Sequence, residues 1–191
     1  MALISRDRAD RRRLRSVFFV FALLFALAMG TRALGQIDIL GAAQRPEAEV
    51  EAKLPASHPA LYYAYAKRMF TQGRKDDAVF WFYIGQLRYR FYLLATPQLS
   101  PDGDPALMAS LNATVGQAIN EWAGGDPKSW AQQMERALQW DAEKENGFTS
   151  KSTNEQQWRE IRGGLAALRD QVIRDEAKIR AEREKRGLSN R

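Results

Sequence analysis

Along the 191 residues, hydrophobic and polar positions sort into one uninterrupted apolar run near the front and a series of segments with helical period. The run is Val17 to Met29, VFFVFALLFALAM. After it, residues 36–56 hold two prolines and scattered acids without a sustained period, which reads as a linker or loosely docked arm. Ser57-His58-Pro59 reads as a helix entry with Ser57 as N-cap, and the helix stops at Gly73. A second helix is expected from about Lys75 to Leu94, ahead of Pro97. It is apolar on nearly every side except for a stripe through Asp76, Tyr83, Gln86 and Arg90, so it reads as the central helix of a bundle. A proline- and glycine-rich loop over 95–105 leads to Asp104-Pro105, and the helix it opens should run to about Trp122 with Leu107, Leu111, Val115 and Ile119 on one face. Asp126-Pro127 repeats that entry signal, and the next helix should stop at Asn146-Gly147. The last helix is expected from about Ser152 to Arg186, terminated by Gly187. Its first half carries Trp158, Ile161, Leu165, Leu168 and Val172 at steps of three and four, and Gly163-Gly164 within it predicts a close helix approach or a kink. Its second half is mostly charged, with opposite charges four apart.

Ala66, Met69, Gly73, Ala78, Phe82 and Gly85 fall at the spacings of a helix-turn-helix unit. Over residues 60–92 the chain resembles a single tetratricopeptide or Sel1-like hairpin, in which small residues let two antiparallel helices approach and a glycine permits the turn. The resemblance implies local structure and, by the usual role of such units, a protein-binding surface. The same stretch is crowded with rings, and aromatic side chains dominate both cores and interface hot spots. Packing within the bundle is the plain reading of that crowding. The partner-facing reading selects Tyr62, Tyr63, Trp81, Tyr83, Arg88, Arg90 and Tyr92.

Charge changes the picture at the front of the chain. Residues 1–15 hold six arginines against Asp7 and Asp10, so +4 of the total +6 sits there and the remainder is nearly neutral. A nucleic-acid surface needs a concentrated basic face, and the balanced remainder supplies none, so no nucleic-acid partner is expected. Arginines ahead of an apolar run are instead the mark of a secretory signal or membrane anchor, with the chain beyond it facing outward. Val17, Phe18, Phe19, Leu23, Leu24 and Phe25 are the expected membrane-inserted residues. The 16 uncharged residues between Arg15 and Arg32 would make roughly 24 Å of helix, against about 30 Å of bilayer hydrocarbon. That shortfall favours cleavage, and Ala33-Leu34-Gly35 before Gln36 offers small residues where a signal peptidase reads; snorkelling arginines would suit a retained anchor.

Candidate chemistry is sparse. The absence of cysteine excludes disulfides, thiolate metal sites and cysteine nucleophiles. His58 is the only histidine, and a cap or surface role suits its place before Pro59. Phosphate-loop, dinucleotide-binding and nucleophile-elbow patterns are absent. No catalytic residue, metal ligand or cofactor is assigned. Asp102-Gly103-Asp104 resembles part of a calcium loop but lacks the further ligands, and a turn with a helix cap explains it better. Glu121 beside Trp122 and the Gly-Gly turn is a candidate buried acid of the kind a carbohydrate-active enzyme needs, although nothing in the spacing identifies its required partner carboxylate.

These readings converge on an all-α fold, a bundle of about five helices containing one tetratricopeptide-like hairpin, after an N-terminal signal or anchor helix. The expected organisation is a signal or anchor over 1–35, a linker over 36–56, a helical domain over 57–187 and a tail over 188–191. The expected function is a non-enzymatic interaction protein of the cell envelope, a scaffold or a toxin-neutralising protein. It would be inner-membrane with its domain outward, or periplasmic or secreted after cleavage, with the membrane and an unidentified protein as partners. A carboxylate-based envelope enzyme acting on a carbohydrate-type substrate is the alternative.

Overall fold

A computed structural model describes residues 39–191, and among them every regular element is helical. The expected membrane segment and its six named residues lie outside the described residues. No helix among the described ones is long and apolar enough to cross a membrane.

The segment expected as a linker is already part of the fold. It contains α1 (Glu47–Lys53) and a 3-10 turn (Leu54–Ala56), and it buries Val50 and Leu54. Glu47 and Glu49 sit in the first turn of α1, where carboxylates meet the positive end of the helix dipole. These are local signals too short to register as a period.

α2 (Ala60–Thr71) and α3 (Lys75–Ala95) are two helices joined through Gly73 and packed against each other. Gly73 adopts φ 84, which lets the Arg74 N–H reach back to the Met69 carbonyl at 3.0 Å and end α2. A Cβ on Gly85 would lie 2.7 Å from the Tyr62 Cβ, so this glycine sets how closely the two helices approach. At the start of α2 the expected cap is replaced. The Ser57 hydroxyl donates back to the Lys53 carbonyl, and His58 Nδ1 accepts the Ala60 N–H at 3.2 Å.

The helix expected over 104–122 is interrupted. α4 (Asp104–Leu111) passes through a π-helical turn (Asn112–Gly116) into α5 (Gln117–Ala123). Gly116 lies against the Phe82 ring, 2.8 Å from where its Cβ would be, and Val115 and Ile119 are buried beyond it. Wide turns of this kind arise where packing re-registers a helix. α6 (Pro127–Glu143) starts as expected, with the Asp126 carboxylate accepting the Ser129 N–H. It buries Ala131, Met134, Ala137, Leu138 and Asp141.

The last expected helix is two. α7 (Glu155–Arg174) ends at Asp175, whose φ −93 and ψ 11 break the helical course, and α8 (Glu176–Lys185) follows, closed by Gly187 at φ 69. α7 runs uninterrupted through Gly163 and Gly164, and no close approach occurs there, since nothing lies within 4 Å of a Cβ at either. α3 is the central helix, packed against α2, α5, α6 and α7, which is why it is apolar all round. Residues 41–191 make one compact unit.

Candidate partner-binding groove

The residues proposed for partner contact mostly face inward. Tyr62, Tyr63, Trp81, Tyr83 and Arg88 are buried, whereas Arg90 is exposed and Tyr92 half-buried. The excess of rings is consumed by edge-to-face packing. Trp81 lies 5.5 Å from both Tyr65 and Trp140, and Tyr63 lies 5.3 Å from Phe82. In its folded state the domain offers a partner little of this cluster. Packing within the bundle, the plain reading of the crowding in a central helix, is what these rings show, and the partner-facing reading of Tyr62, Tyr63, Trp81, Tyr83 and Arg88 is corrected.

Arg88 occupies the middle of a buried polar network. It is 1% exposed, and its ion-pair partner Asp141 is 0% exposed. Arg88 Nε donates to Asp141 Oδ1 at 3.2 Å, Nη1 to the Pro55 carbonyl and the Tyr62 hydroxyl, and Nη2 to the Lys144 and Glu145 carbonyls. Every N–H of the guanidinium is therefore used. The second carboxylate oxygen of Asp141 accepts from Trp158 Nε1 at 2.8 Å and Arg162 Nη1 at 3.2 Å. Tyr62 donates onward to the Leu54 carbonyl at 2.7 Å, and burial raises its pKa above the usual phenol range. Lys151 donates to the Asp141 and Lys144 carbonyls at the end of α6, and burial lowers its pKa. This network ties the 3-10 turn, α2, α3, α6 and α7 together.

His58 and Asp104 meet at a second polar point. His58 Nε2 contacts Asp104 Oδ1 at 2.9 Å, Tyr89 donates to the same oxygen at 2.7 Å, and Tyr92 donates to Oδ2 at 3.3 Å. Because His58 Nδ1 accepts the Ala60 N–H, its Nε2 carries the proton and is the donor to Asp104. Both ring nitrogens are thus engaged in holding the start of α2 to the start of α4. Asp104, expected as a cap, is the first residue of α4 and turns its carboxylate to these three donors. Burial and the Asp104 carboxylate raise the pKa of Tyr89. Asp102 is exposed, and Glu121 is exposed rather than buried. Among the described residues no cluster of three or more His, Asp or Glu could hold a metal ion.

The concave feature lies elsewhere, between α5, α7 and α8. It is an open groove of about 550 Å³ whose apolar lining is Trp130, Leu168, Val172, Ile179 and Leu188. Its size is within the range of ligand pockets, about 300–1,000 Å³. Gln117, Asn120 and Glu121 line one side, and Lys178, Glu182 and Arg183 line another. A hydrogen-bond chain fixes its floor, with Trp130 Nε1 donating to the Tyr83 hydroxyl at 2.8 Å and that hydroxyl donating to Asn120 Oδ1 at 2.9 Å. Tyr83, read from sequence as a contact residue, thus supports the groove from beneath. The kink at Asp175 creates the concavity by turning α8 away from the line of α7. No sequence signal marked that bend beyond the change from apolar to charged pattern.

Fold and site together define an all-α domain with an apolar groove beside α5, α7 and α8 and a hydrogen-bonded polar network around Arg88. Comparison with protein-family models, with curated proteins and with solved structures finds no match.

Proposed function

We propose that the chain is a non-enzymatic protein-interaction protein of the cell envelope, addressed to a membrane by residues 1–35. Its 41–191 domain takes a segment of a partner polypeptide into the groove between α5, α7 and α8. The observation that carries this reading is the contrast between interiors and groove. The titratable clusters around Arg88 and Asp104 spend their hydrogen-bonding capacity on the fold, while Leu168, Ile179 and Leu188 stay half-buried in the lining of the groove. A concave apolar lining rimmed by charge is the arrangement that accepts the apolar face of a peptide. A scaffold and a toxin-neutralising protein would both use such a surface. The tetratricopeptide-like hairpin serves as the packed frame of the domain in this reading, and the arginine-flanked apolar run supplies the address.

The test is capture from envelope fractions by the tagged full chain, compared with Leu168→Arg and Ile179→Arg. A charge placed on either position leaves the core untouched and should abolish recovery of the same partner band. Equal recovery by parent and variants would remove the groove as the binding surface. A periplasm-dependent reporter fused after Arg191 tests the address, since an inactive reporter on a soluble protein would refute it.

A further inference from the structure

The start of α2 depends on an acceptor that a proton can remove. Pro59 has no N–H to satisfy, and the N–H groups of Leu61 and Tyr62 donate to the carbonyls of His58 and Pro59 at 3.0 and 3.2 Å. The Ala60 N–H turns instead to a side chain, His58 Nδ1, at 3.2 Å. Ala60 is buried, so a donor stripped of its acceptor there bears a desolvation cost. His58 itself is fixed on several sides. Its Nε2 meets Asp104 Oδ1 at 2.9 Å, and the rings of Tyr89, Tyr92 and Phe148 pack edge to face around it at 5.3, 5.9 and 5.0 Å. The side chain is nonetheless 27% exposed, which lets solvent protons reach it.

We propose that His58 is a pH-sensitive clasp between α2 and α4, which when neutral holds both helices and when protonated keeps Asp104 and releases Ala60. A neutral imidazole has one donor and one acceptor, whereas the imidazolium has two donors. Nε2 is already the donor to Asp104, so the added proton goes to Nδ1, where it points at the Ala60 N–H. Rotating the ring gives no relief, because both nitrogens then carry protons and the three packed rings hold the plane. The positive end of the α2 dipole opposes a cation at the same place. The contact with α4 gains from the same proton. Asp104 has His58 as its one ion-pair partner among the described residues, and its other two donors are the Tyr89 and Tyr92 hydroxyls. A charge on the donor makes that bond stronger. The titratable groups facing His58 are thus the Asp104 carboxylate from α4 and two phenols from α3, while the turn after α6 presents only the Phe148 ring. Imidazole changes charge between about pH 5 and 8, and that is the range in which the clasp works. Neither His58 nor Asp104 lines the groove, so the clasp stands whatever the groove binds.

His58 is the only histidine of the chain, so a single imidazole Cε1–H resonance of the untagged full chain reports its protonation. From pH 8 to 5 the protection of the Ala60 amide against hydrogen exchange, corrected for the intrinsic pH dependence of exchange, should fall by up to about tenfold, the effect of one net hydrogen bond. The fall should share its midpoint with the imidazole resonance. The Ser129 amide, capped by the Asp126 carboxylate, should keep its protection over the same range. His58→Asn places an amide oxygen at the capping position without a titrating group, and its Ala60 amide should stay protected at every pH. Ala60 protection that stays level while the imidazole titrates would overturn the proposal, as would an equal fall in His58→Asn. Circular dichroism shows whether that variant is folded, and if it is not, the paired Ala60 and Ser129 measurements on the parent decide the matter alone.

Discussion

Arg88 shows how far a single residue's role depends on its surroundings. Its sequence neighbours are a leucine and a tyrosine, and its ion-pair partner stands 53 positions away. Taking a charge out of water costs several kcal/mol, recovered here only because Asp141 and four further acceptors, among them three main-chain carbonyls, surround it. Arg88→Ala removes every donor at once and leaves Asp141 with Trp158 and Arg162 alone. Breaking such a buried pair costs about 3–5 kcal/mol, so urea unfolding of the variant should show a midpoint shifted strongly downward. A loss below about 1 kcal/mol would mean that the network contributes specificity rather than stability. From sequence alone Arg88 reads as a contact residue, since a charge on an apolar helix marks either a buried pair or an exposed edge, and nothing local separates them.

At the scale of elements, the glycines divide into those that position helices and those that do not. Gly85 sits at the closest approach of α2 and α3, with the Tyr62 Cβ in the way of any side chain. Gly85→Ala should therefore destabilise by about 1–3 kcal/mol, the usual penalty of overpacking. Gly163 and Gly164 are exposed on α7 with open space around them, and alanine at either should stabilise by up to about 1 kcal/mol through helix propensity alone. Thermal unfolding of the three single variants checks both signs. Gly73 was legible as a helix stop, since a glycine at positive φ ends α2 there. The paired glycines of α7 resembled a packing signal and were not one, since their face of the helix has no neighbour. Breaks at Asn112–Gly116 and Asp175 were illegible for a related reason, as each is set by what the helix packs against rather than by a proline or a glycine stop.

For the molecule as a whole, the buried tyrosines determine how it responds to alkali. Burial raises the pKa of Tyr62, Tyr63 and Tyr83 well above the ordinary value of 10.0. Above pH 10 the unfolded chain releases these phenolic protons while the folded chain retains them, so stability falls as pH rises. Each such group costs about 1.4 kcal/mol at one pH unit above its unfolded pKa, and the three together cost about 4 kcal/mol at pH 11. That is a large share of the roughly 5–15 kcal/mol that holds a domain together. Denaturant midpoints should be level from pH 8 to 9 and drop steeply between pH 10 and 11. A level midpoint through pH 11 would show that the phenols reach solvent.

The amino-acid sequence by itself determined that the described chain is helical, where most helices begin and end, and that α3 is central, because period, Asp-Pro entries and glycine stops act over a few residues. It also determined that charge concentrates before residue 16, since composition needs no fold to be read. Only the tertiary structure decided which rings are core, that Arg88 meets Asp141, that Tyr83 lies beneath a groove, and that His58 reaches Asp104. Those outcomes join residues dozens of positions apart, and the free energy that selects them is burial and hydrogen-bond satisfaction, which exist only once the helices have packed.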